Sequence, residues 1–518
     1  MRRITSLVLV LALLLMASFT AMAAEGNGGT LKIGIGMDVK QLDPAFISDL
    51  PSERIASQIH DRLLRRDPEG NIKPNLAKDW KVEENAKVWT FYLKEDVKFT
   101  DGSKFNAEVV KWHFDRLRDS EVGSNYVEQF SIIEKVKVLD NYTVQFRLKR
   151  PYGPFVDTIL FSPGGLIPSK NHFEKVGADA YSSNPVGTGP FEFKEWKPGS
   201  FIKLTANDNY HREEIKLDGL TFKPIPEPMT RIIELQTGGV DVVKSIPYMN
   251  VKKLQGDSNV DLYKGKSGFY TMYIWFNLEE GSPFKDNLAL RKAVAYSINK
   301  KELAKVLHGE YSIRCEGYVP KASWAYPDNP EPIGYDLDKA KQILKDAGYT
   351  YEDGKLYKDG ERVTIEYLST TSERQWQTIA QFVQERLRKL GVEAKLKQLE
   401  WGSYLDKFTN RKYTLSSMGW SQNTGEPSLF LDVLISTEGR GNFSGYSNPE
   451  VDKMLKEAAA ISGRSERMKI YRKVYDILEE DLPMVPILSK PLLEGVSTDV
   501  ENYIYSPYVN DYTDTFIK

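Results

Sequence analysis

The stretch Leu76–Leu117, LAKDWKVEENAKVWTFYLKEDVKFTDGSKFNAEVVKWHFDRL, decides how this chain is read. It opens with Trp80, a core-type residue, and then alternates polar and apolar side chains through Trp89, Phe91 and Leu93. That is the period of a strand with one buried face. Asp101-Gly102 makes a turn. Beyond it, Val109, Trp112 and Leu117 are spaced for one face of a helix.

The same reading extends outward from this stretch. On its N-terminal side, Leu31–Ile35 alternates as a strand, and Asp38 and the Leu42-Asp43-Pro44 break follow. On its C-terminal side, Lys135–Lys149 reads as a hairpin, with Val136 and Val138 on one arm, Asp140-Asn141 in the turn and Val144, Phe146 and Leu148 on the other. The second half is more helical. Asp336 is placed to cap a helix carrying Ala340, Ile343, Leu344 and Ala347 on one face, closed by Gly348. Trp376, Ile379, Ala380, Val383, Leu387 and Leu390 repeat at helix spacing up to Gly391, and Tyr471, Val474, Tyr475 and Leu478 do so before Pro483. Helices alternating with strands such as Val392–Leu399 predict α/β layers. Neither an internal repeat nor a low-complexity linker interrupts them, so the domains are expected to join through ordinary strands that form a hinge.

The N-terminus reads as an export signal. Arg2 and Arg3 precede an apolar run from Leu7 to Ala17, and Ala21-Met22-Ala23 supplies a small-residue cleavage site. The run is shorter than the roughly 20 apolar residues of a spanning helix, so cleavage after Ala23 or Ala24 is expected to release a protein without a membrane span. With a single cysteine, Cys315, no intramolecular disulfide is possible, and no cysteine near the signal offers a lipid anchor. The 518 residues exceed what one hydrophobic core supports, which predicts two or more domains. Lys and Arg total 70 against 72 Asp and Glu, interspersed and without a basic stripe, which speaks against nucleic acid as a partner.

Motifs for catalysis are missing: there is no HExxH, GxSxG or CxxC, and none of the five histidines stands three or four residues from another. No carboxylate pair stands out for glycoside hydrolysis. Asn184-Pro-Val-Gly-Thr-Gly-Pro-Phe191 has two glycines around a threonine but no following Lys-Ser/Thr, and Pro190 blocks a helix start, so a phosphate cradle is not expected there. No catalytic residue, cofactor or protein-held metal is expected.

From Asp101-Gly102 to Pro185-Val-Gly-Thr-Gly-Pro-Phe191, and on through Phe276-Asn277, Arg291–Ile298, Lys339–Gly348, Tyr446–Asp452 and Leu482–Pro486, the order of motifs resembles the family 5 bacterial solute-binding proteins of ABC importers over nearly the whole mature chain. The resemblance implies a class II, two-lobed α/β periplasmic-binding-protein fold with an inserted subdomain. The first lobe is expected to comprise residues 28–70, 187–281 and 486–518, the insertion 71–186 and the second lobe 282–485, after a signal peptide at 1–23. It implies a monomeric periplasmic receptor that captures di- or oligopeptides between its lobes and hands them to an inner-membrane permease and its ATPase. The alternatives are an oligosaccharide, a nickel chelate or another small solute in the same fold, and, more remotely, a secreted hydrolase.

The resemblance also nominates a site. Arg374 stands where dipeptide-type receptors place the arginine for the ligand's terminal carboxylate, after Thr364–Leu368 and before a long helix. Its fork of donors suits a carboxylate. The loop that carries the amine-binding acid in those receptors reads Met418-Gly-Trp-Ser-Gln-Asn-Thr-Gly-Glu-Pro427, with neutral Asn423 at the acid's position and only Glu426 as a later acid. Asparagine accepts a hydrogen bond from an ammonium group but does not neutralise it. The amine would then fall to another acid, such as Asp38 or Glu400. Trp420, Trp401, Tyr404, Tyr270 and Tyr273 complete the candidates, as amphipathic rings for stacking.

Overall fold

Strand β1 (Thr30–Ile35) buries Leu31, Ile33 and Ile35 and pairs in parallel with Gly219–Pro224 on one side and Val242–Val243 on the other. It is the centre of a seven-stranded sheet ordered Val260–Tyr263, Glu494–Ser497, Val242–Val243, β1, Gly219–Pro224, Phe201–Ala206 and Phe191–Lys197. The computed structural model describes residues 28–518 apart from 329, 331, 332 and 423. The expected signal peptide and Asn423 therefore lie outside the described residues.

Helix α1 (Leu50–Ile59) starts where the Asp49 carboxylate accepts the Ser52 N–H at 2.9 Å, with Pro51 in the first turn. Ile55, Ala56 and Ile59 bury one face against the first sheet. A short hairpin follows, β2 (Leu64–Arg66) with Ile72–Pro74. Next comes an antiparallel sheet in the order Ala77–Glu83, Val88–Leu93, Thr143–Leu148 and Ile133–Asp140, covered by helix Ala107–Arg118. Edge-on aromatics fill this core, Phe114 and Phe146 at 4.9 Å and Phe91 and Phe146 at 5.6 Å between ring centroids. Trp80 is half-buried against it. Asp43, after the first strand, is fully buried and takes both guanidinium nitrogens of Arg116 on that helix. The chain returns through Gly187 and Gly189, where an added Cβ would meet Ile59 O at 2.0 Å and Gln58 O at 2.6 Å. Close backbone approach to α1, and not phosphate binding, is what these glycines serve.

The second lobe is built on β3 (Ser267–Phe276), β4 (Thr364–Thr370), α2 (Arg374–Lys389), β5 (Glu393–Leu399), β6 (Leu415–Ser421) and β7 (Met484–Pro491). The sheet order is Ile313–Arg314, β7, β3, β6, β4, β5. Helix α2 lays Trp376, Ile379, Ala380, Val383 and Leu387 on it, and the chain reverses at Gly391, whose φ is +92°. The lobe boundary differs from the expectation that counted 187–281 and 486–518 with the first lobe. Residues 267–276 and 484–491 form the middle of the second sheet, because β3 is buried along nearly its full length and pairs with β6 and β7 on its two edges. The chain crosses between sheets twice, from Tyr263 to Ser267 and from Pro491 to Glu494.

Candidate functional site

A cavity of about 570 Å³ lies between the two sheets. Its floor is the polar face of α1: Leu50, Glu53, Arg54, Ser57 and Gln58 follow helix spacing and all line it, while the opposite face is in the core. Across from α1 stand Phe269 and Tyr270 at the start of β3, Ser421 and Gln422 at the end of β6, and Lys490–Glu494 at the second crossing. β4, β5 and β6 run in parallel, and β3 runs antiparallel to β6. The ends of β4, β5 and β6 and the start of β3 therefore share one edge of the second sheet. Ligands of α/β proteins gather outside the carboxyl ends of such strands.

Of the residues nominated from sequence, Tyr270 lines the cavity. Its ring covers Gly419, where a Cβ would lie 2.0 Å from the hydroxyl oxygen, and burial, with the charge of Glu373, pushes its pKa up. Arg374, Trp401 and Trp420 sit at the same sheet edge, after β4, after β5 and near the end of β6, but outside the cavity wall. Arg374 is exposed, and its guanidinium meets no hydrogen-bond or ion-pair partner among the described residues. Trp420 is half-buried, its indole N–H donating to Leu429 O at 3.2 Å.

Tyr273 and Tyr404 are in the core of the second lobe. The Tyr273 hydroxyl donates to Tyr318 O at 2.8 Å and the Tyr404 hydroxyl to Ser417 O at 2.7 Å, and Trp401 lies against the Tyr404 ring at 5.7 Å. Asp38 and Glu400 spend their carboxylates on backbone N–H groups, of Val39 and Gly199 for the first and Gly402 for the second. Glu426, the acid remaining in the Gly419-Trp420 loop, is fully buried and bound by Arg467, with Trp324 Nε1 at 3.3 Å and Ser428 N at 3.2 Å.

Sequence reading missed the arginines. Arg54, Arg62, Arg65 and Arg66 fall within thirteen residues of α1 and β2, and Arg212 joins them in the wall. The run His60-Asp-Arg-Leu-Leu-Arg-Arg66, just after the Asp43-Pro44 break, was the available signal. Arg62 pairs with Glu53 at 3.1 Å and Arg212 with Asp511 at 3.4 Å. Arg66 bonds Asp157 at 2.7 Å and reaches across to Thr424 at 2.9 Å. Burial, partly countered by Glu53, lowers the Arg62 value, and the Arg66 charge lowers it further. Asp61 is held below the usual carboxylate range. Burial opposes this, but His211 at 2.9 Å, Asn75 at 2.9 Å and the Arg212 charge outweigh it. Burial also lowers His60 and His308, both in the wall, to about 4. Among the described residues no three His, Cys, Asp or Glu side chains converge to hold a metal ion.

The profile of the bacterial extracellular solute-binding proteins, family 5, matches residues 71–442. The chain belongs to this family. Along 504 residues it is 30% identical to the glutathione-binding protein GsiB of Salmonella typhimurium, covering 95% of this chain and 94% of that relative. HbpA2 from Haemophilus parasuis superposes with a TM-score of 0.85 at 24% identity, over 95% of this chain and all of that one. DppA from Helicobacter pylori, an ABC transporter-associated periplasmic binding protein in complex with the peptide STSA, does so at 0.73 and 26% identity, covering 95% and 98%. The family fold is the two-lobed one described above, and the family's proteins bind solutes for ABC importers without chemically altering them. The protein is a substrate-binding component and not an enzyme, which removes the secreted-hydrolase reading.

Proposed function

We propose that this family 5 protein is the receptor for short peptides of an ABC importer. It works as a monomer in the periplasm after loss of a signal peptide at 1–23. The peptide lies between the lobes, its terminal carboxylate on Arg374 and its body against Tyr270 and Trp420. Closing the lobes removes water and strengthens each of these contacts. The closed state is favoured by the ligand's greater affinity for it, and that state is the one the permease accepts.

The observation that carries this reading is Arg374: an exposed guanidinium, without a partner among the described residues, at the sheet edge that borders the cavity, on the first turn of α2. The glutathione- and peptide-binding relatives support it from outside the chain. Isothermal titration with glutathione and alanyl tripeptides tests it. Removing a charge-assisted bond costs about 1.5–3 kcal/mol, so Arg374→Ala should weaken the best peptide by roughly tenfold to a hundredfold. Unchanged affinity overturns the anchor. Co-purification of a sugar or a nickel chelate, identified by mass, would instead favour the other solutes this fold takes.

A further inference from the structure

The first-lobe wall of the cavity carries more cations than it can pair. Its carboxylates are already engaged. Glu53 holds Arg62, Asp511 holds Arg212, and Asp61 accepts from His211 and Asn75. Glu494 accepts the Tyr503 hydroxyl at 2.6 Å and lies 3.7 Å from Lys244. Arg54 and Arg65 are left over. Both are half-buried in the wall, and neither guanidinium meets a hydrogen-bond or ion-pair partner among the described residues. The Arg54 Nε is sealed from solvent and makes no hydrogen bond among the described residues. Buried donors without partners are rare, and a buried charge without one is costly.

The surroundings raise that cost. Arg54 sits in the middle of the cavity face of α1, where its charge adds to that of Lys244. Burial lowers Lys244 to about 8 in spite of Glu494, and Arg54 pushes the same way. On the other side of the wall, burial lowers the Lys94 value, with Arg212 and Arg65 adding to the effect against Asp61. Arg54, Arg62, Arg65, Arg66, Arg212 and Lys490 against Glu53, Asp61, Glu494 and Asp511 make the lining net cationic, which attracts anions, and an arginine fork takes a carboxylate through two parallel bonds.

We propose that Arg54 is the seat of a second carboxylate, with Arg65 adding to the field, so that the receptor selects short peptides with at least one carboxylate beyond their C-terminus. This rests on the peptide-receptor reading above. It divides the work between lobes: Arg374 of the second lobe takes the carboxylate that every peptide has, and Arg54 of the first takes the one that distinguishes acidic peptides. The ligand then bridges the lobes through charge at both ends.

The test is calorimetric titration of the mature protein with Ala-Glu-Ala and Ala-Gln-Ala, which differ in one charge and little in shape, and with glutathione. A charge-assisted pair predicts that Ala-Glu-Ala binds about tenfold or more tightly than Ala-Gln-Ala. Arg54→Gln should bring that ratio to near one by weakening only the acidic peptide, and Arg54→Lys should keep most of it. Arg65→Gln should shrink the ratio in a way that salt mimics. Arg374→Ala should weaken both tripeptides alike. Equal binding of the two peptides by the natural protein, or a ratio that survives Arg54→Gln, overturns this inference and leaves the peptide receptor standing. Binding of neither tripeptide nor glutathione overturns both.

Discussion

Arg467 is only 1% exposed and Glu426 is fully buried, and the two carry opposite charges inside the second lobe, with the Tyr471 hydroxyl 2.7 Å from the guanidinium and the Trp324 ring beside it. Taking away the carboxylate strands a buried cation. Glu426→Ala is therefore expected to lose about 3–5 kcal/mol of stability, measured by urea unfolding. Arg374→Ala, at an exposed and unpaired position, should stay within about 0.5 kcal/mol. The contrast shows what single residues reveal in sequence. The positions of Arg374, at the start of a long helix, and of Glu426, in the loop after Gly419-Trp420, were legible because a neighbouring motif fixes them. Tyr273 and Tyr404 were not, and the reason is physical. Ser267–Phe276 is buried on both faces, so it has no polar-apolar alternation from which to tell a cavity tyrosine such as Tyr270 from a core one. Arg54 escaped for the opposite reason, since an arginine on a helix's polar face reads as solvated until a second lobe is seen to stand over it.

At the level of elements, most strands and helices announced themselves by period and cap. Asp336 does cap its helix, accepting from Lys339 N at 2.8 Å, and the Asp140-Asn141 turn does join the arms of a hairpin. What periodicity does not convey is how elements meet. The crossover Pro185–Phe191 lies on the C-terminal end of α1, where the Gly189 N–H donates to Ile59 O at 2.9 Å. A methyl group at Gly187 would stand 2.0 Å from that same carbonyl oxygen and 2.6 Å from His60 Nδ1. Gly187→Ala must push the helix end away, at a cost of about 1–3 kcal/mol, read as a lower Tm. Because α1 carries Arg54 into the cavity, the same variant is expected to weaken peptide binding more than its Tm loss alone explains. A variant that lost Tm but kept full affinity would separate the crossover from the site.

Across the whole molecule the lobes share little chain, and hydrogen bonds from side chains and backbone tie them together. Besides the two crossings, Asp157 of the inserted layer bonds Arg66 at 2.7 Å and Arg464 of the second lobe at 3.2 Å, and the Gly153 N–H donates to Ala459 O at 2.6 Å. Acid acts unevenly on such a body. Burial lowers His60 to about 4 and His113 to about 3, both in the first lobe and its insertion, while an unfolded histidine titrates at 6.5. Between pH 6.5 and those values the unfolded chain binds more protons than the native one. The stability these neutral rings contribute is therefore complete above pH 6.5 and falls as the pH drops, by on the order of 3 kcal/mol for each ring when pH 4 is reached. His308, lowered to about 4 like His60, adds an effect of the same size in the second lobe, one ring against two in the first lobe and its insertion. Hydrogen exchange at pH 5 against pH 7.5 should show larger excess opening in helix Ala107–Arg118 and α1 than in the six-stranded sheet of the second lobe, which one buried histidine burdens instead of two. Uniform loss of protection across both lobes, or none in that helix, would mean that these histidines are not what makes the protein acid-sensitive. Peptide held between the lobes should restore protection in α1 first, because α1 forms the cavity floor, and in the buried insertion least.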